Sequence, residues 1–313
     1  MKRFVLTRLG LSLVTLLLVS IIVFAVAEIL PGDVGRAILG PYASNEQVAR
    51  LNHELGNDRA LPVRYADWIG GFVRGDWGES ALLRLPVREL VFERLGHSLL
   101  LGGFAFALVV PVSIGFGVLA ALHRGKATDR VISITGMSLI ALPEFVVGVL
   151  LLVAFGVQLH WFPVSSAVPS WNPVDIFRQL LLPSIPLMLV MFGYISRMAR
   201  AGTVEVLDAD YTRTAVLKGL PRRTVLGRHV LRNSLIPTVS VVSITLGYVV
   251  GGLAVTESLF NYPGIGLLVV DAARGPDLPV LEATVLVIAS IYMLSTLLAD
   301  VISALLNPRV RLA

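Results

Sequence analysis

Residues 98–122 read SLLLGGFAFALVVPVSIGFGVLAAL, 25 consecutive positions without a charged side chain. As a helix rising about 1.5 Å per residue, such a run exceeds the roughly 30 Å hydrocarbon core of a bilayer. Working outward from it, five further apolar stretches stand at Leu9–Ala27, Val131–Phe155, Leu180–Ile195, Leu235–Val255 and Val280–Leu305. None alternates apolar and polar residues as a barrel strand does, and backbone in lipid must satisfy its own hydrogen bonds, so each stretch reads as a helix. The expectation is an all-α polytopic membrane protein with six transmembrane helices. Pro183 and Pro186 are expected to shorten and bend the fourth span.

Composition agrees with lipid as the solvent. The 313-residue chain is 55% hydrophobic and 15% charged, whereas soluble chains carry about 25% charged residues. No internal repeat, low-complexity run or flexible linker divides it, so residues 1–313 read as one domain. The absence of cysteine excludes disulfides, thiolate nucleophiles and Cys-ligated metal sites.

The net charge of +5 does not point to nucleic acid, because the basic residues sit in segments that flank apolar spans. Lys2, Arg3 and Arg8, then Arg124, Lys126 and Arg130, then the basic segment Arg197–Ser234, and finally Arg309 and Arg311 all fall on one side of a six-span arrangement. Trp161–Gln179 and Ser258–Pro279, on the other side, carry few basic residues. The positive-inside rule then places both termini in the cytoplasm. The first apolar stretch exceeds the roughly 7–15 residues of a secretory leader's core, and no small-residue cleavage site follows it. It reads as an uncleaved first span.

Leu30–His97 is the long segment on the outer side. Ser44 and Gln47 form a capping-box pattern ahead of a helix that Gly56 is expected to end. Pro62 opens a second helix carrying Tyr65, Trp68, Ile69 and Phe72 on one face, with Gly75 after it. Such a segment closes a pore entrance or receives a soluble partner, or else is only a connector packed on the bundle.

The strongest local signal lies between the fourth and fifth spans. Asp208-Ala-Asp-Tyr-Thr-Arg-Thr-Ala215 is followed by Lys218-Gly219-Leu220-Pro221-Arg222-Arg223. Apolar residues at Tyr211, Ala215 and Val216, and again at Val225, Leu226, Val230 and Leu231, recur at helical spacing. Gly219 stops the first helix in a conformation that only glycine adopts cheaply, and Pro221 opens the second where its missing N–H does no harm. The result is a helix-turn-helix elbow in which Thr214 and Ala215 admit a close neighbour and the surrounding Arg and Lys can bond acidic groups or carbonyls.

This stretch resembles the cytoplasmic loop of binding-protein-dependent ABC importer permeases. Their pattern is Glu-Ala-Ala, three residues, then Gly, and here Arg213-Thr214-Ala215 and Gly219 occupy those places without the Glu. Asp-Tyr-x-Arg-Thr-Ala-x-x-Lys-Gly-Leu, ending in Arg-Asn-x-Leu-Ile-Pro, is similar to the dipeptide and oligopeptide branch. Leu30-Pro31-Gly32-Asp33, Gly75–Ser80, Leu159–Ser165, Glu257–Gly266 and Asn307–Arg311 extend the likeness along nearly the whole chain. The long segment after the first span resembles the first, B-type, of two paired permeases.

The resemblance implies a type I importer bundle in the bacterial cytoplasmic membrane. It also implies a second homologous permease, two cytoplasmic ATPase subunits that bind ATP and Mg, and an extracytoplasmic substrate-binding protein. The chain itself is then not an enzyme and holds no cofactor; Gly125-Lys126 lacks the flanking residues of a phosphate-binding loop. Asp208, Tyr211, Arg213, Thr214, Ala215, Lys218, Gly219, Leu220 and Pro221 are the implied ATPase-coupling residues. Dipeptides or oligopeptides are the implied cargo, with nickel, glutathione or haem as alternatives.

Apart from the resemblance, Glu144 follows Pro143 inside the third span, where a charge is costly and usually faces a cavity. It is a candidate for lining the translocation path and attracting a peptide ammonium or another cation, or else for pairing with a neighbouring subunit or staying protonated in a packing contact. Gly247, Gly251 and Gly252 suit close helix packing in the fifth span. Glu28, Glu257, Glu282 and Asp300 lie near span ends, where solvent or a structural partner is expected. Neither H-E-x-x-H nor G-x-S-x-G occurs, which argues against an intramembrane protease. An ion-coupled secondary transporter, with its own broken helices and midplane charges, is the remaining rival.

Overall fold

In the computed structural model the chain is described at residues 2–29, 36, 39, 40, 42–54, 59–167, 170, 172–275 and 277–306. Leu30–Asp33, Gly56 and Asn307–Arg311 lie outside the described residues. Eleven helices carry the description that follows. They are α1 (Lys2–Ile29), α2 (Asn45–Glu54), α3 (Leu61–Arg74), α4 (Val87–Leu122), α5 (Ala127–Ala141), α6 (Glu144–Leu151), α7 (Pro173–Asp208), α8 (Asp210–Leu217), α9 (Arg232–Leu259), α10 (Ile265–Arg274) and α11 (Leu278–Leu306). The π-helical stretch Leu152–Gln158 extends α6, and Arg222–Thr224 with the π-helical Val225–Leu231 leads into α9.

Five of these helices are long and apolar enough to cross a bilayer, and α5 with α6 makes a sixth when that bent pair is taken as one span. The all-α expectation and the span count therefore hold. Two span descriptions change. The third is not straight: α5 and α6 meet at Leu142–Pro143 with a bend of 100°. The fourth is not shortened, because α7 runs unbroken through Pro183 and Pro186 to Asp208. Residues 197–208, read from sequence as the start of a loop, continue that helix, so the elbow proper is narrower than Arg197–Ser234.

The core lies where α4, α7 and α9 meet. Leu101, Ala105 and Val109 of α4 pack with Leu180, Leu187, Met191 and Ile195 of α7 and with Val249 and Leu253 of α9. Lipid supplies little hydrophobic drive between helices, so contact depends on close approach at small residues. A Cβ on Gly202 of α7 would overlap the backbone carbonyl of Ser234 at the start of α9. α11 lies against α1 and α9, and Arg8 of α1 pairs with Asp300 of α11 at 3.2 Å.

The segment between α1 and α4 is packed on one end of the bundle. Gln47 N–H donates to Ser44 Oγ at 3.2 Å and Ser44 N–H to Gln47 Oε1 at 2.9 Å, the capping box read from sequence. α3 begins with Pro62 in its first turn and ends at Gly75, whose φ of 86° lies in the left-handed region. Its aromatic face docks on α1, with the Phe24 ring 5.5 Å from Tyr65 and 5.6 Å from Trp68. The series continues through Phe72 and Trp77, stacked at 4.7 Å, to Phe92 of α4 at 5.4 Å. A hydroxyl contact of 2.7 Å joins Ser20 to Tyr65. Beyond α3, Asp277 accepts from Ser80 Oγ at 2.5 Å and from the N–H groups of Ala81 and Leu82.

Candidate functional site

At the end of the bundle opposite that segment, α8 turns back from α7. Its inward face is small and polar as much as apolar: Thr212 Oγ donates to the Val206 carbonyl at 2.7 Å, and Ala215, 5% exposed, packs with Val206, Val225 and Val230. Gly219 takes φ 74°, and Pro221 caps the turn Arg222–Thr224, so both punctuation residues stand where the sequence placed them.

The outward face is unlike an ordinary surface helix. Tyr211 is 46% exposed, Val216 59%, Leu217 80% and, past the turn, Leu220 38%. Arg213, Thr214 and Lys218 are exposed beside them. Grouping Tyr211, Ala215 and Val216 by helical spacing thus joins residues that the structure separates, since Ala215 points into the elbow and the other two away from it. Asp208, at the end of α7, meets Arg124 at 2.8 Å and ties the elbow's base to the α4–α5 loop.

Beneath that tie lies a pair that sequence reading did not connect. Arg200 of α7 donates through Nε and Nη2 to the two oxygens of Asp129 in α5, and Asp129 also accepts from the Gly125 N–H at 2.9 Å. Together these contacts join the α4–α5 loop to the helix that carries the elbow.

Glu144 opens α6 at the 100° break. Thr256 Oγ of α9 donates to its Oε1 at 2.7 Å. A Cβ on Gly252 would stand 3.2 Å from Oε2 and equally close to Leu187, so the bare glycine leaves room for the carboxylate. Among the described residues no basic side chain pairs with Glu144. A charge at the bilayer centre costs about 2.5–3.5 kcal/mol on insertion scales, and a carboxylate inside a span usually faces a cavity or a partner. Gly247, four to five residues away on α9, serves a different neighbour: its Cβ position is 3.1 Å from the Tyr292 ring of α11. The packing of Gly251 lies outside the described residues.

Glu257, expected near a span end with solvent or a structural partner, has the structural partner. It is 0% exposed and accepts from Ser98 Oγ, from Gly266 N–H at 2.7 Å and from Leu267 N–H at 3.1 Å. Ser98 Oγ in turn accepts from Ile265 N–H at 2.7 Å. The turn after α9 thereby delivers the unsatisfied N–H groups at the start of α10 to a carboxylate, the arrangement a helix N-terminus favours. A Cβ on Gly264 would overlap that carboxylate. The available sequence signal was a glutamate shortly ahead of Pro263-Gly264-Ile265-Gly266.

Among the described residues no group of three or more His, Cys, Asp or Glu side chains is arranged to hold a metal ion. Residues 113–312 match the family described as binding-protein-dependent transport system inner membrane component, and residues 1–85 match its N-terminal companion. A relative in Sinorhizobium fredii named "Probable peptide ABC transporter permease protein y4tP" is 35% identical over 317 residues, covering 99% of this chain and 100% of the relative. The "Glutathione transport system permease protein GsiC" of Salmonella choleraesuis is 36% identical over 314 residues, 99% of each. With a matched region that spans the core helices α5 to α11 and the elbow between them, the chain belongs to the family of binding-protein-dependent transport system inner membrane components.

Proposed function

We propose that this chain is the permease subunit of an ATP-driven ABC importer that carries peptides across the bacterial cytoplasmic membrane. The observation that carries the reading is the outward face of the elbow. Tyr211, Val216, Leu217 and Leu220 present apolar surface beyond the lipid-spanning helices, where an unpartnered patch of this kind marks a protein contact. In this reading Tyr211, Arg213, Thr214, Lys218 and Leu220 enter a groove on a cytoplasmic ATPase subunit. Ala215, Gly219 and Pro221 hold the shape of the elbow, and Asp208 ties it to Arg124.

The sidedness follows from the basic flanks: both termini and the elbow face the cytoplasm, and residues 30–97 lie outside with a substrate-binding protein above them. Residues 1–313 act as one permease domain. A second permease completes the path, and ATP with Mg is bound by the two ATPase subunits. Closure of those subunits on ATP moves the elbow, and through α7 shifts the bundle between its two states by the differential affinity of nucleotide for each. The naming of relatives for peptide and glutathione transport supports a peptide cargo, glutathione being itself a small peptide.

Purification of the chain from cells expressing the whole transporter tests the assignment. Recovery of ATPase subunits, with ATP hydrolysis stimulated by peptide-loaded binding protein, is the expected result. Protease accessibility that placed residues 209–221 outside the cell would overturn it.

A further inference from the structure

Glu144 is the polar group that neither the elbow nor the buried turn at Glu257 uses, and three features coincide on it. The helix is broken there, which at membrane depth is tolerated where backbone is buried in protein or lines a watery cavity. The carboxylate is only partly covered, with one oxygen held by Thr256 and the other beside the bare Gly252. No cation of this chain neutralises it among the described residues. An ionised carboxylate has room for about four hydrogen bonds, and Thr256 supplies one.

Its depth adds a fourth feature. α5 starts at the elbow end of the bundle and runs 15 residues before the break, about 22 Å of rise. Glu144 therefore stands in the half of the membrane remote from the elbow, near the outer mouth in the orientation proposed above.

We propose that Glu144 is a specificity-determining residue that receives an ammonium group of the cargo as it enters the bundle. The inference rests on the peptide-import reading. The Thr256 hydroxyl fixes the carboxylate's direction, Gly252 leaves its second oxygen room, and the arriving N–H donors complete its shell. A peptide offers such a group at its amino terminus or on a lysine side chain, and the two can be told apart.

Proteoliposomes holding the complete transporter are supplied with binding protein, and initial import rates are normalised to its occupancy. One arm compares a tripeptide with a central lysine against its norleucine isostere, and the other a free amino terminus against the acetylated form. The wild-type complex imports the ammonium-bearing member faster in at least one arm. Glu144→Gln keeps an acceptor for Thr256 and loses the charge; it should reduce that preference about tenfold, as loss of a charge-assisted hydrogen bond does. Glu144→Asp should restore part of it, and the arm affected identifies the ammonium.

Unchanged selectivity of Glu144→Gln in both arms overturns the inference and leaves peptide import standing. Loss of the second permease from the purified Glu144→Gln complex also overturns it, because the carboxylate's partner is then a protein. A wild-type complex that imports none of the peptides sinks the peptide reading, and the inference with it.

Discussion

Arg200 and Asp129 form a two-point ion pair, Nε to Oδ1 at 2.5 Å and Nη2 to Oδ2 at 2.8 Å, that bolts α5 to α7 just below the elbow. Asp129 is buried and Arg200 about one-third exposed, so the pair is part dry and part wet. Parallel N–H···O contacts of this geometry fix direction as well as distance. α5 and α7 are therefore joined at this level through side chains and not through the α4–α5 loop alone.

Removing one member of that pair leaves the other charge without its partner. Asp129→Ala should destabilise the detergent-solubilised protein by about 2–4 kcal/mol, toward the lower end because Arg200 retains access to solvent. A thermal melt of Asp129→Ala, Arg200→Ala and the double variant checks this. The double variant should be clearly more stable than the sum of the two single losses.

The outward face of α8 is free of intrachain packing at Leu217, so its replacement should leave the bundle intact. Leu217→Asp is expected to lie within about 0.5 kcal/mol of the wild type in stability. It should nevertheless lower recovery of ATPase subunits on the purified chain at least about tenfold. Undiminished recovery would assign the contact to another surface.

Gly219 holds φ 74°, which a β-branched residue adopts only at a cost of about 1–2 kcal/mol. Gly219→Val should still insert and fold, since no atom lies within 4 Å of the Cβ position. Its turn should relax, and the substrate-stimulated ATPase activity of the transporter that contains it should fall. Normal stimulation in this variant would count against the elbow as the coupling element.

At the buried turn, Glu257→Ala leaves the Gly266 and Leu267 N–H groups and the Ser98 hydroxyl without their acceptor. The expected loss is about 2–4 kcal/mol, the cost of several buried groups left unpaired. Ser98→Ala removes two links, the donation to Glu257 and the acceptance from Ile265 N–H, but keeps the carboxylate for Gly266 and Leu267, and should cost about half as much. Thermal melting of the two variants in one detergent gives the comparison.

Where α9 approaches α11, the Tyr292 ring lies 3.1 Å from the Cβ position of Gly247. Gly247→Leu should overpack this contact by about 1–3 kcal/mol. Tyr292→Ala, combined with it, should recover most of the loss, because the ring is the obstacle. A melt of both variants that showed no such rescue would place the strain elsewhere.

The legible parts of this protein were those written locally. The capping box at Ser44 and Gln47, the αL stop at Gly75, and the Gly219–Pro221 elbow each depend on residues within about one turn of each other. The break at Leu142–Pro143 was not among them, since Val131–Phe155 read as one continuous span. Proline disfavours helical geometry in the residue before it, although Pro183 and Pro186, bearing the same chemistry, sit inside continuous α7. Which proline breaks its helix was decided by the packing around each.

Sequence alone determined that this chain crosses a membrane as a helical bundle, roughly where each span lies, and that an elbow interrupts it, because length, hydropathy and turn chemistry act along the chain. Tertiary structure decided that Glu144 meets Thr256, that Asp129 meets Arg200, that Glu257 meets Ser98, and that Ala215 faces inward while Leu217 faces out. A helix apolar on every side has no polar stripe to show which face packs and which meets lipid, so its partners follow only from the close fit of side chains far apart in the sequence.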